Sequence, residues 1–441
     1  MPPTAWRNTR AAPDAKADAY WWRTFNDPLL AQIVETALQH NDDIAIAAGR
    51  VAEARADFRL ARAQLWPLVG AGGEGARDRD VNPGFGVPEL QTAGGAEAQI
   101  SYDLDLFGRL KDSSSAAKSA LLATEAARDD VRLDVAASAA SGYITLCSLD
   151  ARLAVLRDTL KDREDELHIE SRRAQIGYSS QLDLAQADAA YQETRQFIPA
   201  TLLAITKEQD GLSVLLGENP RAIERSKDFD KLAAPSVPVS LPASLLRRRP
   251  DVASAEQQLA ATDHALDAAR DAFMPDIQLA AAGGFVGSTL VPDSPVAIWS
   301  LGGSILAPLF TAGRLEAQQD AATARRDQAA FAYRKAALTA FGEVEDSLAS
   351  VQRLDEEEQT IVAQRDALAH EFQLARNRYR AGYSPYLDQL DAERELLSAQ
   401  LSLVETHTDR LTALVQLYQT LGGGWNAANN TMKVAEQKDR S

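Results

Sequence analysis

The chain has 441 residues, with 63 acidic against 46 basic side chains and a formal net charge of −17. That balance excludes a nucleic-acid surface, which needs clustered excess Lys and Arg, and the single cysteine, Cys147, excludes a disulfide framework or a cysteine-based zinc site. No apolar run reaches about 18 residues, so no spanning helix is expected, and Met1-Pro2-Pro3-Thr4 lacks the basic head and apolar stretch of an export signal, which predicts either a cytosolic protein or one already processed.

The first 26 residues are polar and rich in Ala and Pro up to Trp21-Trp22, an aromatic pair expected to pack on the body of the protein. Asp27-Pro28 opens a helix, with Asp as N-cap and Pro at the first helical position. Its apolar set, Leu29, Leu30, Ile33, Val34, Ala37 and Leu38, keeps the three-four spacing of a buried stripe. Helical pattern continues from Asp43 until Pro67, and then the period changes. From Ala96 to Leu106 every even position is apolar, while the odd positions are Glu97, Gln99, Ser101, Asp103 and Asp105. Strict alternation of this kind predicts a strand with one dry and one wet face. Leu68–Ala76 is a weaker, Gly-rich partner, and a long Gly/Pro loop is expected around Asn82-Pro83-Gly84.

From Gly108 to Ile176 there is no proline and little glycine, so the chain can stay helical for roughly 100 Å at 1.5 Å per residue. Such a rod does not belong to a compact domain; its seam Leu149, Leu153, Leu156, Leu160 asks for partner helices side by side. Gly177 breaks the rod, and a second helix runs from Gln181 to Leu216. Glu218–Arg249 holds a basic run, Arg247-Arg248-Arg249, and reads as a connecting girdle. The same sequence of elements then returns: a helix from Asp251 to Met274, strands through Ile277–Phe285 and Ala297–Ile305 around a loop at Val291-Pro292-Asp293, a rod from Gly313 to Ala381, and a helix from Tyr386 to Leu421. The spacings repeat: Asp43 to Pro67 and Asp251 to Pro275 are both 24 positions, and Gly108 to Gly177 and Gly313 to Gly382 are both 69. The chain is therefore an internal duplication, with a polar tail from Ala427 to Ser441.

Two hairpins with one apolar face leave unpaired margins and a dry surface in water. If several copies pool four strands each, the sheet closes, its apolar face meets lipid, and Glu97, Asp103 and Asp105 line a water-filled lumen. The rods would then form a helical cylinder beneath.

From Trp21 to Trp425 the chain resembles the outer-membrane factors of bacterial tripartite efflux systems, TolC-like proteins, in the lipoprotein branch serving resistance-nodulation-division pumps. The marks that carry the resemblance are Leu216-Gly217-Glu218-Asn219-Pro220, Leu241-Pro242 followed by Leu245-Leu246-Arg247-Arg248-Arg249-Pro250-Asp251-Val252, and Asp105-Leu106-Phe107-Gly108-Arg109. The resemblance implies an internally duplicated α+β membrane protein: a homotrimer with a 12-stranded outer-membrane β-barrel continued by a long α-helical coiled-coil barrel, and an equatorial domain. In that organisation 1–42 is tail and equatorial helix, 43–217 the first repeat, 218–250 an equatorial linker, 251–422 the second repeat and 423–441 an equatorial tail. Strands are expected at about 68–79, 96–107, 276–287 and 296–307, and long helices at 108–176, 179–216, 313–381 and 384–421. The implied function is passive export of drugs, toxic organics or metal ions across the outer membrane. The implied partners are a periplasmic adaptor, an inner-membrane resistance-nodulation-division transporter and outer-membrane lipid. Family members carry an acylated N-terminal cysteine; Cys147, inside a helix, does not supply it.

A duct between compartments must close at rest, and the closed end is expected where the helix pairs turn back. There Asp388, Asp391 and Arg394 follow one another by three, on one helix face. The resemblance places acidic rings at Asp388 and Asp391, an apolar ring at Leu387 and tethers at Tyr379 and Arg394; a basic tether of some members aligns with Ser384. The alternative reading of these charges is a solvated helix face. The first copy has Asp183 but Gln186 where the second has Asp391, which assigns the inner, moving pair to the second copy. The repeated small motif Gly177-Tyr178-Ser179 and Gly382-Tyr383-Ser384 is the expected docking site for adaptor hairpins.

No chemistry is indicated. Ser115-Ala116-Ala117-Lys118 has no Lys-Thr-Gly companion, His370-Glu371 lacks the second histidine of a zinc helix, and Gly283-Gly284-Phe285-Val286-Gly287 does not open a helix. No cofactor or metal is expected. The competing functions are a duct for protein secretion and a soluble helical scaffold, the latter disfavoured by hairpins that a bundle cannot use.

Overall fold

The computed structural model describes residues 6–7, 19–81, 88–226, 229, 232, 235, 246, 248–289, 293–423 and 425. Asn82-Pro83-Gly84, Val291-Pro292, Leu241-Pro242, Arg247 and the tail beyond 425 lie outside the described residues. After a 3-10 turn at Trp21–Phe25 come α1 (Pro28–His40), α2 (Asp42–Ala63), β1 (Leu68–Val81), β2 (Pro88–Leu104), α3 (Arg109–Gln175) and α4 (Gln181–Leu215). The second copy supplies α5 (Pro250–Asp271), β3 (Asp276–Ser288), β4 (Val296–Leu306), α6 (Arg314–Arg380) and α7 (Tyr386–Thr420). Both rods, α3 and α6, are 67 residues long, and both returning helices, α4 and α7, are 35.

Local chemistry sets the ends. Asp27 caps α1 by accepting from the amides of Leu29 and Leu30 at 2.8 and 3.3 Å. The chain then breaks at Asn41, whose side-chain oxygen accepts from the amides of Asp43 and Ile44 while its amide donates to the Leu215 carbonyl. Each returning helix ends on a glycine in left-handed conformation, Gly217 at φ 70° and Gly422 at φ 86°. A Cβ there would also collide with the backbone of His40 or of Arg248, so the duplicated glycines are fixed twice over, by backbone angle and by close approach.

The chain forms two compact units that cut across both repeats. One comprises residues 49–125 and 254–335 and contains the sheet. Its four strands run antiparallel in the order β1-β2-β3-β4, so the two expected hairpins join through β2 and β3. Strand β2 begins at Pro88, ahead of the alternating run, because it must match the whole length of β1. The registers align Val69, Ile100, Ala281 and Leu301 in one row and Ala98, Gly283 and Trp299 in the next, which gathers the apolar residues on one face. That face is open: Trp299 is 83% exposed, Leu301 78% and Ile305 72%. Close strand approach makes room only for glycine at Gly284, where a Cβ would run into Ala96 and Glu97.

The other unit comprises residues 1–48, 126–253 and 336–441. Trp21, fully buried, stacks on Tyr418 at 5.4 Å, and Phe25, Leu30, Val34, Ile144, Leu411, Leu414 and Leu417 fill the same unit. Tyr143 donates to Asp27 at 2.9 Å and accepts from the Ser226 amide at 3.1 Å, tying α3 to the cap of α1. Helix α3 does contain a window apolar enough to cross a membrane by composition, contrary to the expectation from run length. Half of that window is buried, and Ala139, Ala140, Tyr143, Ile144, Leu146 and Cys147 of α3 are core residues.

In this unit Arg249 forms a two-bonded pair with Asp251 at 3.0 and 2.7 Å and also reaches Glu343 at 2.6 Å. Asp130, beside them, is pushed up to about 7, first by burial and then by the negative charges of Asp251, Asp134 and Glu343, against the pull of Arg249. A carboxyl raised in the folded state favours folding while neutral, and that contribution is lost as pH rises through its folded value. The melting temperature of the purified protein is therefore expected to fall by a few degrees between pH 5.5 and 8. Asp130→Asn should flatten that slope in a thermal scan across the same range.

Candidate functional site

The helix tips fall within the second of these units, where α3 turns into α4 and α6 into α7. Both turns use the same backbone solution. Gly177 (φ 76°) and Gly382 (φ 78°) stand just past the helix ends, and the amides of Tyr178 and Tyr383 bond back to the carbonyls of Arg173 and Arg378 at 2.8 and 2.9 Å. A Cβ on either glycine would meet nothing within 4 Å, so the surface around both turns is open. Tyr178 and Tyr383 are 82% and 80% exposed. The repeated Gly-Tyr-Ser motif is thus presented twice, although its serines differ. Ser179 lies 3.5 Å from the Glu170 carbonyl, whereas the Ser384 hydroxyl is buried and makes no hydrogen bond within the described residues.

The following turns diverge. Ser180 accepts from the Asp183 amide and Asp183 bonds back to the Ser180 amide, a reciprocal cap at 3.1 Å each way. In α7 the cap position is Pro385, which has no hydroxyl and no N–H, and no side-chain cap forms. The carboxylate of Asp388 is consequently left on the outer face with Leu387, Asp391 and Arg394, all exposed. Arg394 lies 3.7 Å from Asp391 on that face.

The opposite face of α7 is packed. Tyr386 and Leu390 are buried with Ala187 and Ala190 of α4, and Leu167 and Tyr379 cover them. Tyr379, expected as a tether, therefore belongs to this inner layer, behind the acidic face. Its ring lies 5.4 Å from Tyr386, under the Arg173 guanidinium at 5.2 Å. Burial, and then the carboxylate of Glu170, push its phenol well above the usual tyrosine range.

Beneath that layer lies a charged cluster for which the motifs gave no hint. Arg163 of α3, 2% exposed, donates through Nη1 to the Ala190 carbonyl and the Thr194 hydroxyl at 2.7 and 2.6 Å, and through Nε to Glu393 of α7 at 3.3 Å. Burial raises the Glu393 carboxyl, and the neighbouring Arg163 opposes it. The signal was nonetheless present: the three-four seam Leu149, Leu153, Leu156, Leu160 continues on Arg163, Leu167 and Glu170, placing charged residues where apolar ones are expected.

On the sheet, Glu97 and Asp103 lie on the same side of β2, opposite the apolar rows, with Asp103 paired to Gln278 and that in turn to Ser304. Asp105 does not join them. β2 ends at Leu104, and the Asp105 carboxylate accepts from the amides of Leu110 and Lys111 at 3.1 and 2.7 Å. The start of α3 leaves amide donors without intrahelical partners, and satisfying them outweighs continuing the alternation. Among the described residues no three His, Cys, Asp or Glu side chains converge as metal ligands.

The chain matches the family model described as outer membrane efflux protein over residues 33–218 and 241–423. It is 35% identical over 434 residues to the toluene efflux pump outer membrane protein TtgC of Pseudomonas putida, covering 96% of this chain and 88% of that one. It is 33% identical to the pyoverdine export outer membrane protein OpmQ of Pseudomonas putida, over 98% of this chain and 93% of the relative. Among solved structures it superposes on the outer-membrane channel OprN with a TM-score of 0.89 at 26% identity, covering 96% of this chain and 97% of that chain.

If the exposed α7 face closes a duct, removing its charge should open it. Asp388→Ala with Asp391→Ala is expected to raise resting single-channel conductance in planar bilayers several-fold while leaving the melting temperature within about 2 °C, since exposed sites contribute little to folding. Unchanged conductance would return these residues to the status of a solvated face.

Proposed function

The chain belongs to the outer membrane efflux protein family, and from that premise we propose that three copies close a 12-stranded barrel in the outer membrane. The helices of the three copies continue it as a barrel on the periplasmic side. This assembly is the outlet of a tripartite pump and passively passes drugs, toxic organics or metal ions delivered by an adaptor and an inner-membrane resistance-nodulation-division transporter. The observation that carries the reading is the sheet: β1 and β4 stand at its two edges, and the face bearing Trp299, Leu301 and Ile305 is open. Lipid does not hydrogen-bond to a strand margin, so only closure with further strands makes this sheet tolerable in a membrane.

Rings of Asp388, Asp391 and Leu387 then narrow the periplasmic mouth, with Arg394 as counter-charge and Tyr379 as a tether behind them. Glu97 and Asp103 face the lumen and favour cations by concentrating them in a negative potential. The adaptor's hairpin tips lie against the turns Gly177-Tyr178-Ser179 and Gly382-Tyr383-Ser384, where two exposed tyrosines flank backbone with open space above it.

Mass photometry after gentle detergent extraction should show a trimer, and a monodisperse monomer would end the proposal. Reversal potentials under a salt gradient should show cation preference, weakened by Glu97→Gln with Asp103→Asn. Replacing Gly177 and Gly382 by Val should reduce adaptor capture severalfold while the trimer stays intact. The stability cost is about 1–2 kcal/mol per site from the left-handed backbone alone, and undiminished capture would move the docking site elsewhere.

A further inference from the structure

The gate face is joined to the buried seam by a run of alternating charges. Asp391 and Arg394 of α7 lie 3.7 Å apart, and Arg394 is 3.7 Å from Glu193 of α4. Glu193 is also 3.5 Å from Arg163 of α3, and Arg163 is 3.3 Å from Glu393, back on α7. The run therefore leaves α7 on its exposed side, passes through α4 and α3, and returns on its buried side. Its ends differ in environment: Asp391 and Arg394 are largely in water, whereas Arg163 is 2% exposed and Glu393 10%.

We propose that Arg163 is a positioning residue for the gate, fixing α7 against α3 and α4 through Glu393 and orienting Arg394, through Glu193, beside Asp391. The inference rests on the gate reading of the α7 face. Arg163 suits the role because its planar fork holds three partners on two helices at once: the Ala190 carbonyl and Thr194 hydroxyl on α4, and Glu393 on α7. A lysine has the charge but not the fork, and reaches only part of this set. Glu193 suits the relay because it is 45% exposed, in reach of both the buried guanidinium and the solvated one. Rotation of α7 away from α4 stretches both bridges together, so the exposed acidic face and the buried pair move as one body.

The test uses the purified full chain in planar bilayers, with Asp388→Ala/Asp391→Ala as the reference for an opened gate. Arg163→Lys is expected to raise resting conductance several-fold. Glu193→Gln, half-exposed and safe for folding, should shift it in the same direction by less, with an unchanged melting temperature. Cys147 is buried, so Tyr383→Cys on the exposed turn provides one reactive thiol for a nitroxide label. Label-to-label distances across the assembly should lengthen in both variants, a change that loss of stability alone does not produce. If the reference variant opens while Glu193→Gln and a folded Arg163→Lys keep wild-type conductance and label distances, the positioning role is wrong and the gate reading survives. If the reference variant itself stays shut, the gate reading fails first and takes this role with it.

Discussion

β1 and β4 are the edge strands of the sheet, and an edge strand presents a row of backbone N–H and C=O groups away from its one neighbour. In hydrocarbon each such group costs several kcal/mol, a sum over two margins that no packing within a single sheet offsets. Everything distinctive about the chain follows from relieving this. In the assembly proposed above, the strands meet strands of other copies, and the copies surround an axis. The duplication then has a simple meaning: a unit of two strands and two long helices, repeated within the chain and again among chains, supplies enough elements to close both a sheet and a helical wall.

Duplication also gave the two tips freedom to diverge, and the divergence can be traced to one residue. Ser180 and Pro385 occupy the same position before α4 and α7. With serine, the acid three residues on is consumed in a reciprocal cap, so Asp183 serves its own helix. With proline, the N–H that Asp388 would accept from does not exist. The same residue type at equivalent places is therefore structural in the first copy and available for other work in the second. The asymmetry between Gln186 and Asp391 points the same way, but the capping contrast explains why the second copy tolerates an uncommitted charge there.

Much of the architecture was legible because it is written in local signals. Glycines in left-handed turns have no good substitute, so Gly177, Gly217, Gly382 and Gly422 mark helix ends in sequence and structure alike. The alternation through β2 was readable for the same reason: period two has one interpretation. What failed was decided by competition or by distant contacts. Asp105 extended the alternation by one step, yet the amides at the start of α3 claimed it. The joining of two hairpins into one sheet depends on β2 and β3, far apart in sequence, and no turn announces it. Arg163 was missed because a charged residue in an Ala- and Leu-rich rod looks like solvent-facing decoration; only the unbroken three-four spacing through Leu160 and Leu167 says otherwise.

A gate built this way has no meaning in one protomer. Asp388 and Asp391 on a single α7 are exposed side chains, and the cation beside them among the described residues is Arg394, at 3.7 Å from Asp391. In water such a pair is worth little. In the proposed threefold assembly the acids of the three copies would line one lumen, where Arg394 and bound cations offset their mutual repulsion. Removing the acids would break the Asp391–Arg394 end of the charge run, and what then holds α7 is the set of contacts within each protomer. Those contacts lie where water cannot screen them, in the buried seam around Arg163 and Glu393. In the proposed gate, a screened pair at the surface and an unscreened attachment in the seam hold α7 together, so loss of either end loosens the mouth.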